Sequence, residues 1–416
     1  MASKKLLGLT AATAALVLGL TACGNGGESD GEGSGGGGEA FTFGILYPQT
    51  GALAFLGPPQ LSGAQYAISE INEAGGLLGT EVPALVEGDE AGDAAQANEA
   101  ANALVGDGVN AVIGAAASSM TQASYDTITS AGIVQCSGSN TAPDLTSIED
   151  NGLYYRTAPS DLLSGPVMAR QIVDDGHVTV GIVARADDYG SGYMGGLQSE
   201  LEALGAEVVV TETYDPDATN FSGVVDNVTS EDPDAIALIS FEEGGQVLAS
   251  LLESGVEGDQ LYITDGLNSP ELGSTVDESN PDIVTGITGV APGADNPEFN
   301  EGLAEFAPDL EVYQFAPQVF DCVTAIALAA EAAESADPAD YSAELGSVTS
   351  PDGTECGSFS ECRDLLAEGE EINYQGVSGN IDWDENGDPT SATFQIFRFG
   401  EEGYETAGYE EYSVEE

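Results

Sequence analysis

Positively charged residues are nearly absent from this chain of 416 residues. It has 7 Lys and Arg against 72 Asp and Glu, and both lysines lie at positions 4 and 5. Such a surface repels phosphate backbones and anionic lipid headgroups, which argues against nucleic acid and anionic membranes as partners. The acids are most simply a solvated surface. Because they repel one another and salt screens that repulsion, we expect stability to rise with ionic strength in a salt-adapted protein.

Residues that mark several kinds of active site are also scarce. The chain has a single histidine, His177, and no Cys-x-x-Cys pair, so a zinc site is the weaker interpretation of its cysteines. Outside the Gly-rich segment 23–40, no Gly-x-Ser-x-Gly stretch indicates a serine hydrolase. With so many acids, a carboxylate pair does not identify a glycosidase. We therefore expect no enzyme activity, no metal and no cofactor.

Residues 1–22 predict an export signal. Two lysines precede an apolar run from Leu6 to Leu20, which is shorter than the about 20 residues needed to span a bilayer. The small residues before Cys23 resemble the bacterial lipobox, with an ordinary secretory signal as the alternative. A lipid on Cys23 would hold the exported protein at the outer face of the cell membrane. Residues 23–40, rich in glycine and acids, predict a solvated tether.

Four cysteines remain besides Cys23, an even number that predicts disulfides in an exported protein. Cys356 and Cys362 are close enough in sequence to close a local loop. Cys136 and Cys322 would then pair at long range, which is one of the connectivities that four cysteines allow.

Alternating apolar runs and helical patterns predict repeated strand–helix units from Phe41 onward. Such units imply parallel sheets with right-handed crossovers, and the length exceeds what one core supports. The alternation restarts near residue 160, which predicts two similar lobes. The predicted parts are a first lobe at 41–158, a second lobe at 159–290, a return to the first lobe at 291–376, and a C-terminal hairpin, mainly in the second lobe, at 377–416.

The C-terminal part changes in character. Residues 377–382 and 393–399 look like paired strands around Asn386-Gly387, a dipeptide typical of hairpin turns. The run from Asp382 to Asp388 begins like a calcium-binding loop, but Thr393 stands where such a loop has its last acid. A plain turn is therefore the favoured interpretation.

Hydroxyl and amide residues follow the ends of two predicted strands that are separated by one helix. They are Ser118, Ser119, Ser139, Asn140 and Thr141. In an open parallel sheet, ligands bind at the carboxyl ends of the strands, and the free N–H groups of a helix start suit a carboxylate. Each of these residues alone could be a helix cap or turn former. For the paired arrangement, we favour a binding site.

Several stretches form an ordered set that covers nearly all of residues 41–416. They are 44–51, 67–76, 118–122, 141–143, 188–190 and 384–388. This set resembles the extracellular solute-binding proteins of ABC transporters for branched-chain amino acids. The resemblance implies an α/β, type I periplasmic-binding fold, with two doubly wound parallel-sheet lobes joined by three hinge crossovers that close on a ligand. It also implies an amino acid ligand and ABC permease subunits as partners of a monomer.

The resemblance implies roles for individual residues. Ser118, backbone near Ser139, and Thr141 would hold the ligand carboxylate. Tyr189 of the second lobe would cover the ligand. Asp265 would take the α-ammonium group, because a buried charge is costly unless it is paired.

Two features depart from the family pattern. Leu56 stands where the first-lobe loop usually has an aromatic residue, and Asp265 is one carbon shorter than the Glu of the best-known member of the family. A family aromatic falls at Phe241, with Ser240 as the alternative register. The two departures bear on the side-chain preference, so leucine, isoleucine or valine is only the default ligand that the resemblance implies. An amide, urea, an aromatic acid or a sensor role is the alternative.

Overall fold

The computed structural model of the protein describes residues 40–413, except residues 52 and 402. These residues belong to one compact unit, Glu39–Glu416. The predicted export signal and lipidation at Cys23 lie outside the described residues. Among those described, one helix, Ala316–Ala333, is long and apolar enough to cross a membrane, but most of it is buried inside the protein.

A sheet of five parallel strands, in the order β2-β1-β3-β4-β5, forms the centre of what we call the first lobe. Its strands are β1 (Phe43–Tyr47), β2 (Val86–Asp89), β3 (Ala111–Gly114), β4 (Val134–Ser137) and β5 (Tyr154–Arg156). β1, β3 and β4 are buried along their whole length, as expected for parallel strands covered on both faces.

A sheet of seven strands, in the order β14-β13-β10-β9-β8-β6-β7, forms the centre of the second lobe. Its strands are β6 (Thr179–Arg185), β7 (Glu207–Tyr214), β8 (Ala235–Ile239), β9 (Leu261–Thr264), β10 (Thr288–Pro292), β13 (Ser391–Gly400) and β14 (Gly403–Ser413). β13 runs antiparallel to β10 and β14, and the other pairs are parallel. A small parallel pair, β11 (Thr354–Cys356) and β12 (Ile372–Tyr374), lies apart.

Helices connect the strands. They are α1 (Gly57–Glu73), α2 (Ala94–Gly106), α3 (Ser118–Thr129), α4 (Asp161–Asp174), α5 (Asp188–Leu204), α6 (Ser222–Ser230), α7 (Gly244–Glu253), α8 (Leu272–Val276), α9 (Pro297–Phe306), α10 (Ala316–Ala333), α11 (Pro338–Tyr341), α12 (Leu345–Val348) and α13 (Phe359–Glu368). Asp93 caps α2, since its carboxylate accepts from the N–H groups of Ala95 and Gln96.

The chain crosses between the two sheets three times, at residues 157–160, 293–296 and 375–390. The predicted fold of two doubly wound lobes with three crossovers is therefore confirmed. The residue limits of the individual domains stay predictions. The structure contains a disulfide between Cys136 on β4 and Cys322 on α10, and a second between Cys356 and Cys362.

The C-terminal part contains a hairpin, but the prediction of its turn at Asn386-Gly387 is wrong. The paired strands are β13 and β14, which meet at Gly400 and Gly403, and not two strands around Asn386-Gly387. The earlier turn exists, but Asp384 closes it by accepting from the N–H groups of Asn386 and Asp388. The turn then packs on β5, where the Arg156 N–H donates to the Gly387 carbonyl, instead of continuing into strands.

The same turn is held by a buried ion pair that accounts for one of its acids. Asp388 pairs with Arg156 at 2.5 Å, and the indole N–H of Trp383 donates to the Arg156 carbonyl at 2.7 Å. In the part of the chain that the structure describes, no group of His, Cys, Asp and Glu is arranged to hold a metal ion. The calcium-like spacing is thus explained by a turn that is anchored to Arg156.

Candidate functional site

The two hydroxyl segments predicted from the sequence lie side by side in the first lobe. β3 and β4 are neighbours, so the start of α3 meets the loop after β4. The Ser118 hydroxyl accepts from the N–H groups of Thr141 and Ala142 at 3.3 and 3.2 Å. Ser119 follows on the half-exposed face of α3. The first-turn amides of this helix need acceptors from outside the helix, which makes this edge suited to a carboxylate.

Ser139 and Asn140 shape the loop after β4. The Ser139 hydroxyl donates to the Ala116 carbonyl at 3.0 Å. The Asn140 amide donates to the Ala115 carbonyl at 2.9 Å and to the Thr121 hydroxyl at 2.6 Å. Asn140 was predicted among the binding residues, but its amide N–H groups are used to hold this loop against α3.

A buried acid that the sequence analysis did not single out lies beneath the start of α3. Glu90 accepts from the N–H groups of Ala116 and Ala117 at 2.7 and 3.2 Å, and its side chain is fully buried. Burial raises the pKa of Glu90 to about 8, although the two backbone hydrogen bonds oppose that change. An internal carboxyl group therefore occupies the two amides that precede the helix.

Asp161, the first residue of α4, connects the Thr141 loop to the second lobe. Its N–H donates to the Thr141 carbonyl at 2.8 Å, and its Oδ2 accepts from the Thr141 hydroxyl at 2.9 Å. Asp161 is fully buried, and its Oδ1 has no hydrogen-bond partner among the described residues. The sequence analysis missed it, because an acid directly after Ser160 has the pattern of an ordinary helix start.

The second-lobe residues expected at the site also come together. The Tyr189 hydroxyl donates to Asp265 Oδ1 at 2.7 Å. The Tyr189 ring stacks on Phe241 with 5.0 Å between centroids and 17° between planes. Ser240, the alternative register, instead bonds to the Tyr214 hydroxyl on the other side of the strand end. The structure thus places Phe241 beside Tyr189.

Arg185 covers the other face of Phe241. Its guanidinium carbon lies 3.7 Å from the ring centroid. The charge of Arg185 is compensated by Asp187 at 2.6 Å and Glu243 at 2.8 Å. Phe241 is therefore fixed between a tyrosine ring and an ion-paired guanidinium, an arrangement that also gains cation–π stabilisation.

Asp161 and Asp265 are two buried carboxyl groups that lie close enough for their charges to interact. Burial raises the pKa of Asp265 to about 6, opposed by the hydrogen bond from Tyr189. Burial, and then the charge of Asp265, raises the pKa of Asp161 well above its usual range. Neither forms a salt bridge within the described residues. Such a pair must either keep a proton or gain a cationic partner.

Apolar side chains from both lobes also form a single buried cluster. It includes Leu56 from the first lobe, Tyr189 and Phe241 from the second, and Phe315 at the start of α10. Phe315 has a left-handed backbone, with φ of 64°, and is 2% exposed. A non-glycine residue in this conformation is strained unless its surroundings hold it, which often marks a functional position. No local sequence pattern pointed to Phe315.

Arg156 supports the Thr141 loop from behind. Its guanidinium donates to the Ala142 carbonyl at 2.9 Å and to the Thr146 hydroxyl at 2.8 Å, while Asp388 neutralises it. Arg156 is fully buried. The C-terminal turn thereby fixes the loop that carries Thr141.

Comparisons with known proteins agree with this architecture. Residues 40–401 match the family model described as periplasmic binding protein, and the chain belongs to that family. The Leu/Ile/Val-binding protein BraC3 of Rhizobium johnstonii is 28% identical over 362 residues, which cover 86% of this chain and 91% of that protein.

Solved structures share the fold at lower identity. The leucine-binding protein LivK of Thermotoga maritima aligns with a TM-score of 0.74 and 20% identity, over 89% of this chain and 98% of that one. A solute-binding protein of an ABC transporter from R. palustris, in complex with benzoate, aligns with a TM-score of 0.71 and 17% identity, over 91% and 98% of the two chains. The fold alone therefore does not determine the ligand.

Proposed function

We propose that this chain is the substrate-binding protein of an ABC importer and takes an aliphatic α-amino acid between its two lobes. The observation that carries the proposal is that Asp161 and Asp265 are both buried and that neither has a salt bridge in the part of the chain that the structure describes. A zwitterion matches this arrangement, because it offers one positive and one negative group on adjacent carbons.

The two ends of the ligand have distinct partners. The carboxylate binds the Ser118 hydroxyl and the amides of the α3 start and of Thr141. The ammonium group binds Asp265, with Asp161 Oδ1 as a second acceptor. Since the Thr141 hydroxyl donates its proton to Asp161, it offers the ligand a lone pair and so also suits the ammonium end.

The side-chain pocket of the proposed site is apolar. Its expected walls are Leu56, Tyr189, Phe241 and Phe315, which are all buried and belong to one apolar cluster drawn from both lobes. A branched aliphatic side chain gains about 2 kcal/mol from such burial, whereas a charged side chain loses its hydration. Leucine, isoleucine and valine are the expected ligands, in line with the name of the Rhizobium relative.

The binding cycle follows from the two-lobe architecture. The lobes open and close about the three crossovers, and the closed form delivers the ligand to the permease subunits. The protein works as a monomer, exported and held at the membrane by a lipid on Cys23. The tether at 23–40 keeps its acidic body away from the anionic membrane surface.

A ligand series tests the assignment. The body from Glu39 onward, kept in molar salt, is screened by thermal shift against amino acids and against leucine analogues that lack either the ammonium or the carboxylate. Leucine at one hundred times its Kd should stabilise the protein by about 2.7 kcal/mol, and both analogues should fail. Stabilisation by no α-amino acid refutes the proposal.

A second candidate is the same fold with another small solute, such as an aromatic acid. The observation that favours it is the structural neighbour that was solved in complex with benzoate. A ligand without an ammonium group leaves Asp265 without a cationic partner. Benzoate and simple amides in the same screen distinguish the two candidates, because they should stabilise the protein only under this second assignment.

A further inference from the structure

Helix α5 of the second lobe has a glycine where it meets the first lobe. A β-carbon placed on Gly192 would lie 2.6 Å from Cδ of Pro143. Carbon atoms in favourable contact are about 3.5–4.0 Å apart. Residue 192 therefore cannot carry a side chain while the lobes are this close.

The backbone of α5 does not itself require glycine at this position. Gly192 lies inside the helix and is not among the residues with positive φ. Glycine is one of the least favourable residues in a helix interior. The space needed by Pro143, and not the conformation of residue 192, therefore explains why a glycine fits here.

Pro143 has little freedom to move aside. It begins a 3-10 turn directly after Ala142, whose N–H donates to the Ser118 hydroxyl and whose carbonyl accepts from Arg156. Arg156 is itself fixed by Asp388. A side chain at position 192 would thus displace α5, and the second lobe with it, and would leave the Pro143 loop in place.

Such a displacement acts directly on the proposed binding site. Tyr189 lies about one turn before Gly192 on the same helix and bonds to Asp265. Moving α5 away from the first lobe therefore moves the ammonium-binding acid away from Ser118 and Thr141. We propose that Gly192 is a positioning residue, whose missing side chain sets how closely the lobes approach and thereby sets ligand affinity. This inference rests on the proposed function.

Two single variants on the same helix distinguish the effect of blocked lobe closure from the general effect of replacing a helical glycine with alanine. Gly192→Ala should bind leucine at least about tenfold more weakly, because full closure is blocked. Gly195→Ala is the matched control, since Gly195 is exposed and a β-carbon there meets nothing within 4 Å. It should keep wild-type affinity. Equal affinities for the two variants, measured by calorimetry, overturn the inference.

Removing the opposing ring should reverse the effect. Pro143→Ala lacks Cδ, so Gly192→Ala combined with Pro143→Ala should bind leucine more tightly than Gly192→Ala alone and within about threefold of Pro143→Ala alone. Additive losses would mean that the two residues do not oppose each other, and would overturn the inference.

A crystal structure of Gly192→Ala provides a readout without ligand binding. The distance between residue 192 and Pro143 should increase by about 1 Å, and it should stay unchanged in Gly195→Ala. An unchanged distance overturns the inference. If wild type binds no amino acid, the proposed function fails, while this distance still decides the role of Gly192.

Discussion

Replacing Asp265 with asparagine should change stability and affinity in opposite directions. The Asp265 carboxyl group is buried beside Asp161, and its pKa is raised from 3.8 to about 6. The folded protein therefore holds a proton more tightly than the unfolded chain between about pH 4 and 6. Wild-type stability falls as pH rises through this window, and the penalty is complete above pH 6.

The size of the effect follows from the same numbers. A rise from 3.8 to about 6, at about 1.4 kcal/mol for each pKa unit, makes ionised Asp265 cost the unliganded protein about 3 kcal/mol. Asparagine removes that cost but loses one acceptor for a backbone amide, worth about 1 kcal/mol. Asp265→Asn should therefore gain about 2 kcal/mol of unfolding free energy at pH 7.5 and lose about 0.5 kcal/mol near pH 4, where most of the charge penalty is already absent.

Affinity should fall because the ammonium group loses its charged partner. Loss of a buried charge pair costs about 3 kcal/mol, or roughly a hundredfold in Kd. Urea unfolding at both pH values and calorimetric titration with leucine measure the two effects. Asp321→Asn is the control, because the pKa of Asp321 is also raised to about 6 by burial but its partners lie at the third crossover. It should keep leucine binding.

A less stable Asp265→Asn protein at pH 7.5, with unchanged leucine affinity, would refute the reasoning about both the buried charge and the site.

Three further predictions concern pH, closure and salt. Leucine affinity should fall up to about tenfold for each pH unit below 6, because a proton on Asp265 competes with the ammonium group; calorimetry that shows no pH dependence would contradict this. Asn268 donates to Gln314 across the lobes at 2.8 Å, so Gln314→Ala should raise the leucine Kd about fivefold, seen as faster dissociation in stopped flow. Replacing the half-exposed Gln198 with alanine should not. The melting temperature should rise by at least about 10 °C between 0.1 and 2 M salt as screening weakens acid repulsion; an unchanged value would show that the acids do not destabilise the fold.

Local patterns were sufficient for much of the architecture. The apolar runs of β1 and β3 and the cap at Asp93 depend on neighbours in sequence, so periodicity and capping rules predict them. Ser118 and Thr141 could be paired because parallel strands end at the same edge of a sheet. The wrong hairpin turn at Asn386-Gly387 shows the limit of a dipeptide rule, since the ion pair between Asp388 and Arg156 involves a residue far away in sequence.

The missed residues share a physical reason. Asp161, Glu90 and Phe315 matter because distant segments surround them, and in a chain with 72 acids a single buried Asp or Glu has no distinguishing local signal. Phe315 depends on a left-handed backbone that tertiary packing imposes. The opposition of Gly192 and Pro143 depends on how two lobes meet, which no pattern within either segment predicts.

Trp383 is an intrinsic fluorophore that lies near two of the crossovers between the lobes. It is the sole tryptophan in the sequence, and it lies in the third crossover. Its indole N–H donates to the carbonyl of Arg156, the last residue of β5, directly before the first crossover. Its ring also contacts Tyr155, with centroids 4.9 Å apart. Any bending that strains these contacts alters the surroundings of one fluorophore, so the emission spectrum of the unlabelled protein reports lobe motion without a background from other indoles.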